Sequence, residues 1–177
     1  MKTKPAPRWL QRASLVPLLT VLCLGGCSTS HRGLPSPEAD KQEIAAKIAG
    51  IREAILAKSA AGIVKPGTAD WSFTGPDGVS FDRAGFIVRT DALFARVVAI
   101  EWLETHVDSI VLAGPDTAEV EITQTTVRSE RAAGTGVVGR FRIRYREHHH
   151  WVRTPDGWRV QRVQFIGTPE RTPLPAS

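Results

Sequence analysis

Residues 139–166, GRFRIRYREHHHWVRTPDGWRVQRVQFI, decide how this chain is read. They predict two long β-strands joined by the turn Thr154-Pro155-Asp156-Gly157. Proline presets φ at the second turn position, aspartate bonds back to the backbone, and glycine accepts the positive φ that closes a hairpin. Both strands are rich in aromatic, Val/Ile and Arg residues, and neither contains proline, as central strands require. Strands of this length need cover on one face.

That cover is legible upstream. Ile44, Ile48, Ile51 and Ile55 recur at helical spacing and predict an amphipathic helix from Pro37 to about Ala61, capped by Ser36 or Asp40 and ended by Gly62 and Pro66. Trp71-Ser-Phe-Thr, Gly75-Pro-Asp-Gly and Val79-Ser-Phe read as a short hairpin. A second helix is expected over 82–98, with a break at Thr90-Asp91. Strands follow over 100–112 and 117–128 around the turn Gly114-Pro115-Asp116. In the second of them Ala118, Val120 and Ile122 alternate with Glu119, Glu121 and Thr123, a half-buried pattern. Residues 129–136 form a loop back into the C-terminal hairpin. Residues 168–177 (TPERTPLPAS) read as a disordered, Pro-rich tail.

Helix, hairpin, helix and then antiparallel strands make an α+β pattern. Over about Asp40 to Gly167 the chain resembles the SnoaL-like domains of the nuclear-transport-factor-2-like superfamily. The resemblance rests on four features: the helix-first order; the Trp71…Pro76-Asp77-Gly78 hairpin; the Gly114-Pro115-Asp116-Thr117-Ala118 turn; and Trp151-Val152-Arg153…Asp156-Gly157-Trp158-Arg159-Val160. It implies a cone-shaped, strongly bent antiparallel sheet wrapped around a long N-terminal helix, a pocket at the open end, and a homodimer through the outer sheet face. Isomerases, dehydratases, cyclases and many members without a known reaction share that architecture.

The formal net charge of +5 would suit a nucleic-acid binder, but its distribution argues for none. Lys2, Lys4, Arg8 and Arg12 lie in the first segment, and without them the charge is +1. Residues 28–126 hold 9 basic and 14 acidic side chains, and residues 127–177 hold 10 arginines and 4 acids. The arginines read as a solvated or ion-paired strand face, with Glu119 and Glu121 as cross-strand partners for the Arg142–Arg146 row.

Residues 1–27 join a basic start to an apolar run, Leu15–Leu24, too short to span a bilayer. They end in Leu24-Gly25-Gly26-Cys27, which resembles the lipobox of a bacterial lipoprotein signal peptide. The resemblance implies cleavage before Cys27, acylation of its thiol (palmitate among the chains), and membrane association through that lipid. Ser28 at the next position implies export to the outer membrane, facing the periplasm. Residues 28–36 are then a tether, and 37–167 the cone domain. Cys23 and Cys27 are the two cysteines, so the mature domain has neither a disulfide nor a thiolate metal site.

The candidate site comes from strand phase. Phe141, Ile143 and Tyr145 share one face, leaving Arg140, Arg142, Arg144 and Arg146 on the other. Matching Val152 with Trp158 and Val160 across the turn then requires a one-residue shift, a β-bulge within Glu147–His150. The expected pocket is lined by Trp71 or Trp102, Tyr145, His150, Arg162 and Gln164, with Trp158 deeper against the Ile44–Ile55 helix. Arg162 and Gln164 suit a carboxylate or carbonyl oxygen. Among His148-His149-His150, alternation lets at most two share a metal, and no partner ligands stand at a useful spacing, so no metal is expected. No phosphate loop, nucleophile motif or cofactor signature is present. His106, Glu101, Glu104 and Asp70 are further acid–base candidates. SnoaL-like relatives often carry a histidine near the end of the last strand, and the matching position here is Gln164, which cannot transfer protons.

The expected function is therefore a lipid-anchored envelope protein whose cone binds a small molecule, anionic or carbonyl-containing, or a partner, without reaction. An isomerase, dehydratase or cyclase acting on a small carbonyl compound is the alternative, and a structural dimerisation module the third reading. Two titratable side chains converging inside the cone would favour the enzyme.

Overall fold

The structure is a computed structural model that describes residues 36–175. The expected signal segment, Cys27 and the expected tether up to residue 35 lie outside the described residues.

Helix α1 spans Pro37–Leu56. Ser36 caps it, its hydroxyl accepting from Ala39 N, while Pro37 occupies the first turn and Glu38 and Asp40 face the positive helix end. The helix covers its apolar stripe but ends before the expected Ala61. Lys58 takes a left-handed conformation (φ 51°), and Ser59 caps a separate short helix, α2 (Ala60–Val64), through Gly62 N. Strands β1 (Gly67–Thr74) and β2 (Ser80–Asp82) make the expected hairpin. Helix α3 (Arg83–Arg96) runs unbroken through Thr90-Asp91, started by Asp82, whose carboxylate accepts from Gly85 N at 2.8 Å. Four long strands follow: β3 (Val97–Leu112), β4 (Thr117–Arg131), β5 (Val138–Thr154) and β6 (Gly157–Leu174).

The strands form one six-stranded curled sheet in the order β2-β1-β6-β5-β4-β3. It is antiparallel except where β1 joins β6 in parallel, a pairing that the expected all-antiparallel sheet did not contain. Ile44 and Ile48 of α1 pack on the concave face with Trp71, Ala118, Val120, Ile122, Trp151, Trp158, Val160 and Val163. At the turn, Arg153 pairs with Asp40 of α1 and lies over the Trp158 ring, pinning the hairpin to the helix start.

The expected bulge within Glu147–His150 is absent. Register with β4 is continuous from Thr117↔Val152 to Arg131↔Val138, so β5 alternates without a break. Thr154 pairs with Gly157 around the two-residue loop Pro155-Asp156. That parity sets Trp158 opposite Arg153 and Val160 opposite Trp151, not opposite Val152. The phase shifts lie in β6. His150↔Arg162 is followed by Trp151↔Val160, which leaves Gln161 extra, and Arg144↔Glu170 is followed by Arg146↔Ile166, with Gly167 at φ 72° inside the bulge.

The tail expectation is also corrected. Residues 168–174 continue β6, pairing Arg144↔Glu170 through Arg140↔Leu174. Pairing of β1 with β6 stops at Gln164, so this stretch is an edge, where Pro169 and Pro173 are tolerated.

Candidate functional site

The open end of the cone holds a cavity of about 520 Å³. Its wall comes from α1 (Ile48, Ile51, Arg52, Ile55), β1 (Trp71, Phe73), α3 (Phe86, Arg89, Leu93, Phe94), β4 (Ile122, Gln124, Thr126, Arg128), β5 (Ile143, Tyr145, Glu147, His149) and β6 (Val160, Val163, Phe165). One side is an aromatic cluster: Phe86 meets Trp71 and Phe73 at 5.0 Å each, Phe165 meets Phe73 edge-on at 5.5 Å, and Tyr145 lies 4.9 Å from Phe165. The volume falls in the range of small-molecule sites, which place a few polar groups on apolar walls.

The polar groups stand in a row. Unbroken alternation turns Tyr145, Glu147 and His149 inward together, and Gln124 is the register partner of Tyr145. Thr105 Oγ1 donates to Gln124 Oε1 at 3.5 Å, and Gln124 Nε2 donates to the Tyr145 oxygen. Tyr145 acts as acceptor in that bond, so its own hydroxyl hydrogen is not spent on Gln124. Burial, reinforced by the neighbouring Glu147 carboxylate, pushes its phenol well above the ordinary tyrosine range, so it stays protonated. Beside it, His149 Nε2 meets Glu147 Oε2 at 3.0 Å. His149 is 2% exposed and its Nδ1 has no partner. The tautomer with hydrogen on Nε2 serves Glu147 and leaves a lone pair at Nδ1 rather than an orphan donor. Glu147 is thus held by one oxygen, with the other unassigned. At the β4–β6 end, Glu130 is bound by Arg128 and, at 2.8 Å, by Arg171. Burial pushes the Glu130 carboxyl up, but the two guanidiniums together hold it below the usual range.

Of the residues expected to line the pocket, Trp71 and Tyr145 do. The others do not. Trp102 sits on the outer face of β3, 46% exposed, opposite Val127. His150 points outward and bonds Glu119 through Nδ1 at 2.7 Å, while His148 reaches the same carboxylate at 3.1 Å. Arg162 and Gln164 are exposed, beside Ser72 and Thr74 of β1. The bulge at Gln161 shifts the phase of β6 after the inward Trp158 and Val160, so Val163 turns inward while Arg162 and Gln164 face out. The lack of a histidine at Gln164 therefore says nothing about the cavity. His106, Glu104 and Asp70 are exposed, and Glu101 is tied to Ser129 and Arg140 outside it. Glu121 pairs with Arg146 at 2.7 Å as expected, whereas Glu119 takes the two histidines and no arginine. Among the described residues no group of three or more His, Cys, Asp or Glu is arranged to hold a metal ion. Glu147, His149 and Gln124 escaped the sequence reading. The signal was the plain alternation from Phe141 to Trp151, which places the first two with Ile143.

No family model matches the chain, and neither does any curated protein sequence. Solved structures do. A conserved protein from Planctomyces limnophilus is 19% identical, with a TM-score of 0.62 over 77% of this chain and 99% of that one. A nuclear transport factor 2-like superfamily protein from Salmonella enterica is 19% identical, with a TM-score of 0.59 over 75% of this chain and 93% of its own. A ketosteroid isomerase-like protein from Erwinia carotovora is 18% identical, with a TM-score of 0.57 over 71% and 95%. The described domain thus has the curled α+β cone fold of the nuclear-transport-factor-2-like proteins.

Proposed function

We propose that this chain is an envelope-anchored enzyme that binds a mainly apolar carbonyl compound in its cone and moves a proton on it. The observation that carries this reading is Glu147, steadied by buried His149, one inward position from the protonated Tyr145 on an apolar wall. Inward neighbours on a strand stand roughly 6.5 Å apart. A carbonyl oxygen and the carbon beside it fit between two such groups, each contacted by one of them.

In that pose Tyr145 donates its hydrogen bond to the carbonyl oxygen. Glu147 takes a proton from the adjacent carbon, breaking the C–H bond as its electron pair forms the enolate double bond. Tyr145 stabilises the charge gathering on oxygen, and the protonated Glu147 returns the same proton to another carbon of the conjugated system. No oxidant or cofactor is needed. Among the described residues the hydrogen bond of the His149 side chain goes to Glu147, so His149 acts as a positioning residue. The ketosteroid isomerase-like description of one protein of this fold names the same reaction class, which adds support.

The test is conversion of a β,γ-unsaturated cyclic ketone to its conjugated isomer, followed by ultraviolet absorbance. Wild-type chain should accelerate it, and Glu147→Gln should lower kcat by about 10²–10⁴-fold with the ketone still bound. Equal rates for the two proteins would leave only binding.

The anchoring half of the proposal rests on Leu24-Gly25-Gly26-Cys27. Cys27→Ala should shift the protein from the membrane fraction to the soluble one. Full retention of the variant would remove the lipid.

A further inference from the structure

We propose that the compound taken by the cone is an amphipathic anion, its charged end held at the mouth by Arg89. The inference deepens the reading above but rests on the cavity alone, not on the proton transfer. Besides Tyr145 and His149, six side chains of the charged types line the cavity: Arg52, Arg89, Arg128, Arg171, Asp77 and Glu147. Arg128 and Arg171 are committed to Glu130. Arg52 is paired with Glu53 and donates to Leu103 O at 3.3 Å. Asp77 folds its own loop, Oδ1 accepting from Val79 N at 3.2 Å. Glu147 is engaged by His149.

Arg89 differs from all of these. It is exposed on α3, and among the described residues it has no carboxylate or carbonyl partner. Its guanidinium instead lies 5.0 Å over the Phe81 ring, another residue of the cavity wall. Stacking fixes the plane of the guanidinium and leaves its N–H groups, which radiate in that plane, without acceptors. A positioned planar fork of this kind suits a carboxylate, sulfonate or phosphate. Glu147 sets the direction. A carboxylate in the inner row repels an anionic group, so the charged end of a guest belongs at Arg89 and its neutral, oxygen-bearing end at Tyr145. The aromatic cluster between them takes the apolar body.

The experiment uses two isosteres, 1-naphthylacetate and 1-naphthylacetamide, titrated calorimetrically into the purified full-length chain and its Arg89→Gln variant. The carboxylate should bind wild type about fivefold to tenfold more tightly than the amide. Arg89→Gln should erase that preference while leaving amide affinity unchanged within about twofold. Equal wild-type affinities overturn the proposal. So does a variant that keeps the preference, or one that weakens both ligands alike, since Arg89 would then shape the mouth without reading charge. Failure of both ligands to bind wild type would remove the cavity reading as well. Loss of ketone turnover with the preference intact would sink the proton transfer and leave this inference standing.

Discussion

The two faces of β5 carry nearly the same chemistry in opposite surroundings. Inward, Glu147 meets His149, which is 2% exposed. Outward, Glu119 from β4 meets His148 and His150, whose side chains are 40% and 23% exposed. Each is a carboxylate–histidine contact at about hydrogen-bond length, and one residue of register separates them. The outer one is partly exposed, and solvent reaching both histidines screens its charge–charge interaction. The inner one stands on an apolar wall, where a proton on either group changes the field felt by a neighbouring guest. The strand's pleat, and not the residue types, decides which pair can do acid–base work.

The sharpest way to break that comparison is to remove each carboxylate in turn. Glu147→Gln should cost about 10²–10⁴ in kcat for proton transfer, whereas Glu119→Gln should leave turnover within twofold or so of wild type. Comparable losses from both would mean that the inner face is not special. Tyr145→Phe comes next. It keeps the ring against Phe165 and removes the hydroxyl donor beside Glu147, so kcat should fall about 10–10²-fold while binding of an inert apolar ligand changes little. A variant that loses binding and turnover together would make Tyr145 a wall residue only.

How much of this was legible follows from the same pleat. The helix stripe Ile44–Ile55, the hairpin at Gly75–Gly78 and the alternation of β4 each carry a local period, and each has its expected place. The inner row was equally periodic, since Phe141, Ile143, Tyr145, Glu147, His149 and Trp151 need only uninterrupted alternation. The bulge expected within Glu147–His150 came from matching Val152 with Trp158 and Val160 across the turn, and it broke that row before Trp151. The contact between Glu147 and His149, two side chains of one strand, is invisible in a linear pattern. The bulges in β6 were hidden differently. Gln161 carries no backbone signature, and Gly167 read as the start of a tail when it is the residue that lets β6 bend and continue. The parallel β1–β6 pairing depends on contacts between distant parts of the chain, which no local period reports.

A smaller effect separates the faces by pH. Glu130 lies on the buried side, and although burial raises its carboxyl, Arg128 and Arg171 hold it below the ordinary range. Asp40 is lowered first of all by its hydrogen bond to Arg153. A carboxyl depressed in the folded state contributes stability that is complete above its unfolded value, about 4.3 for glutamate, and is lost as pH falls through its folded value. Thermal unfolding should therefore be flat from neutrality down to the carboxylate range and then decline. Glu130→Gln should cost roughly 1.5–3 kcal/mol at neutral pH and make the acid decline shallower, with Asp40 still contributing. Parallel pH profiles for variant and wild type would show that the buried triad is not what titrates.

The smallest effect belongs to the outer ladder. Glu121 and Arg146 meet at 2.7 Å with side chains 41% and 50% exposed. Both ends are solvated, and holding two long side chains in one geometry costs entropy, so their coupling in a double-mutant cycle should be about 0.2–1 kcal/mol. It should shrink further in molar salt, where the screening length falls to roughly 3 Å. The same cycle on Glu130 and Arg128, on the buried side of the sheet, should show a larger coupling that salt barely moves. If Glu121–Arg146 equals or exceeds Glu130–Arg128, or proves as salt-resistant, then exposure does not sort the two faces. The contrast between His149 and its neighbours would then need a cause other than water.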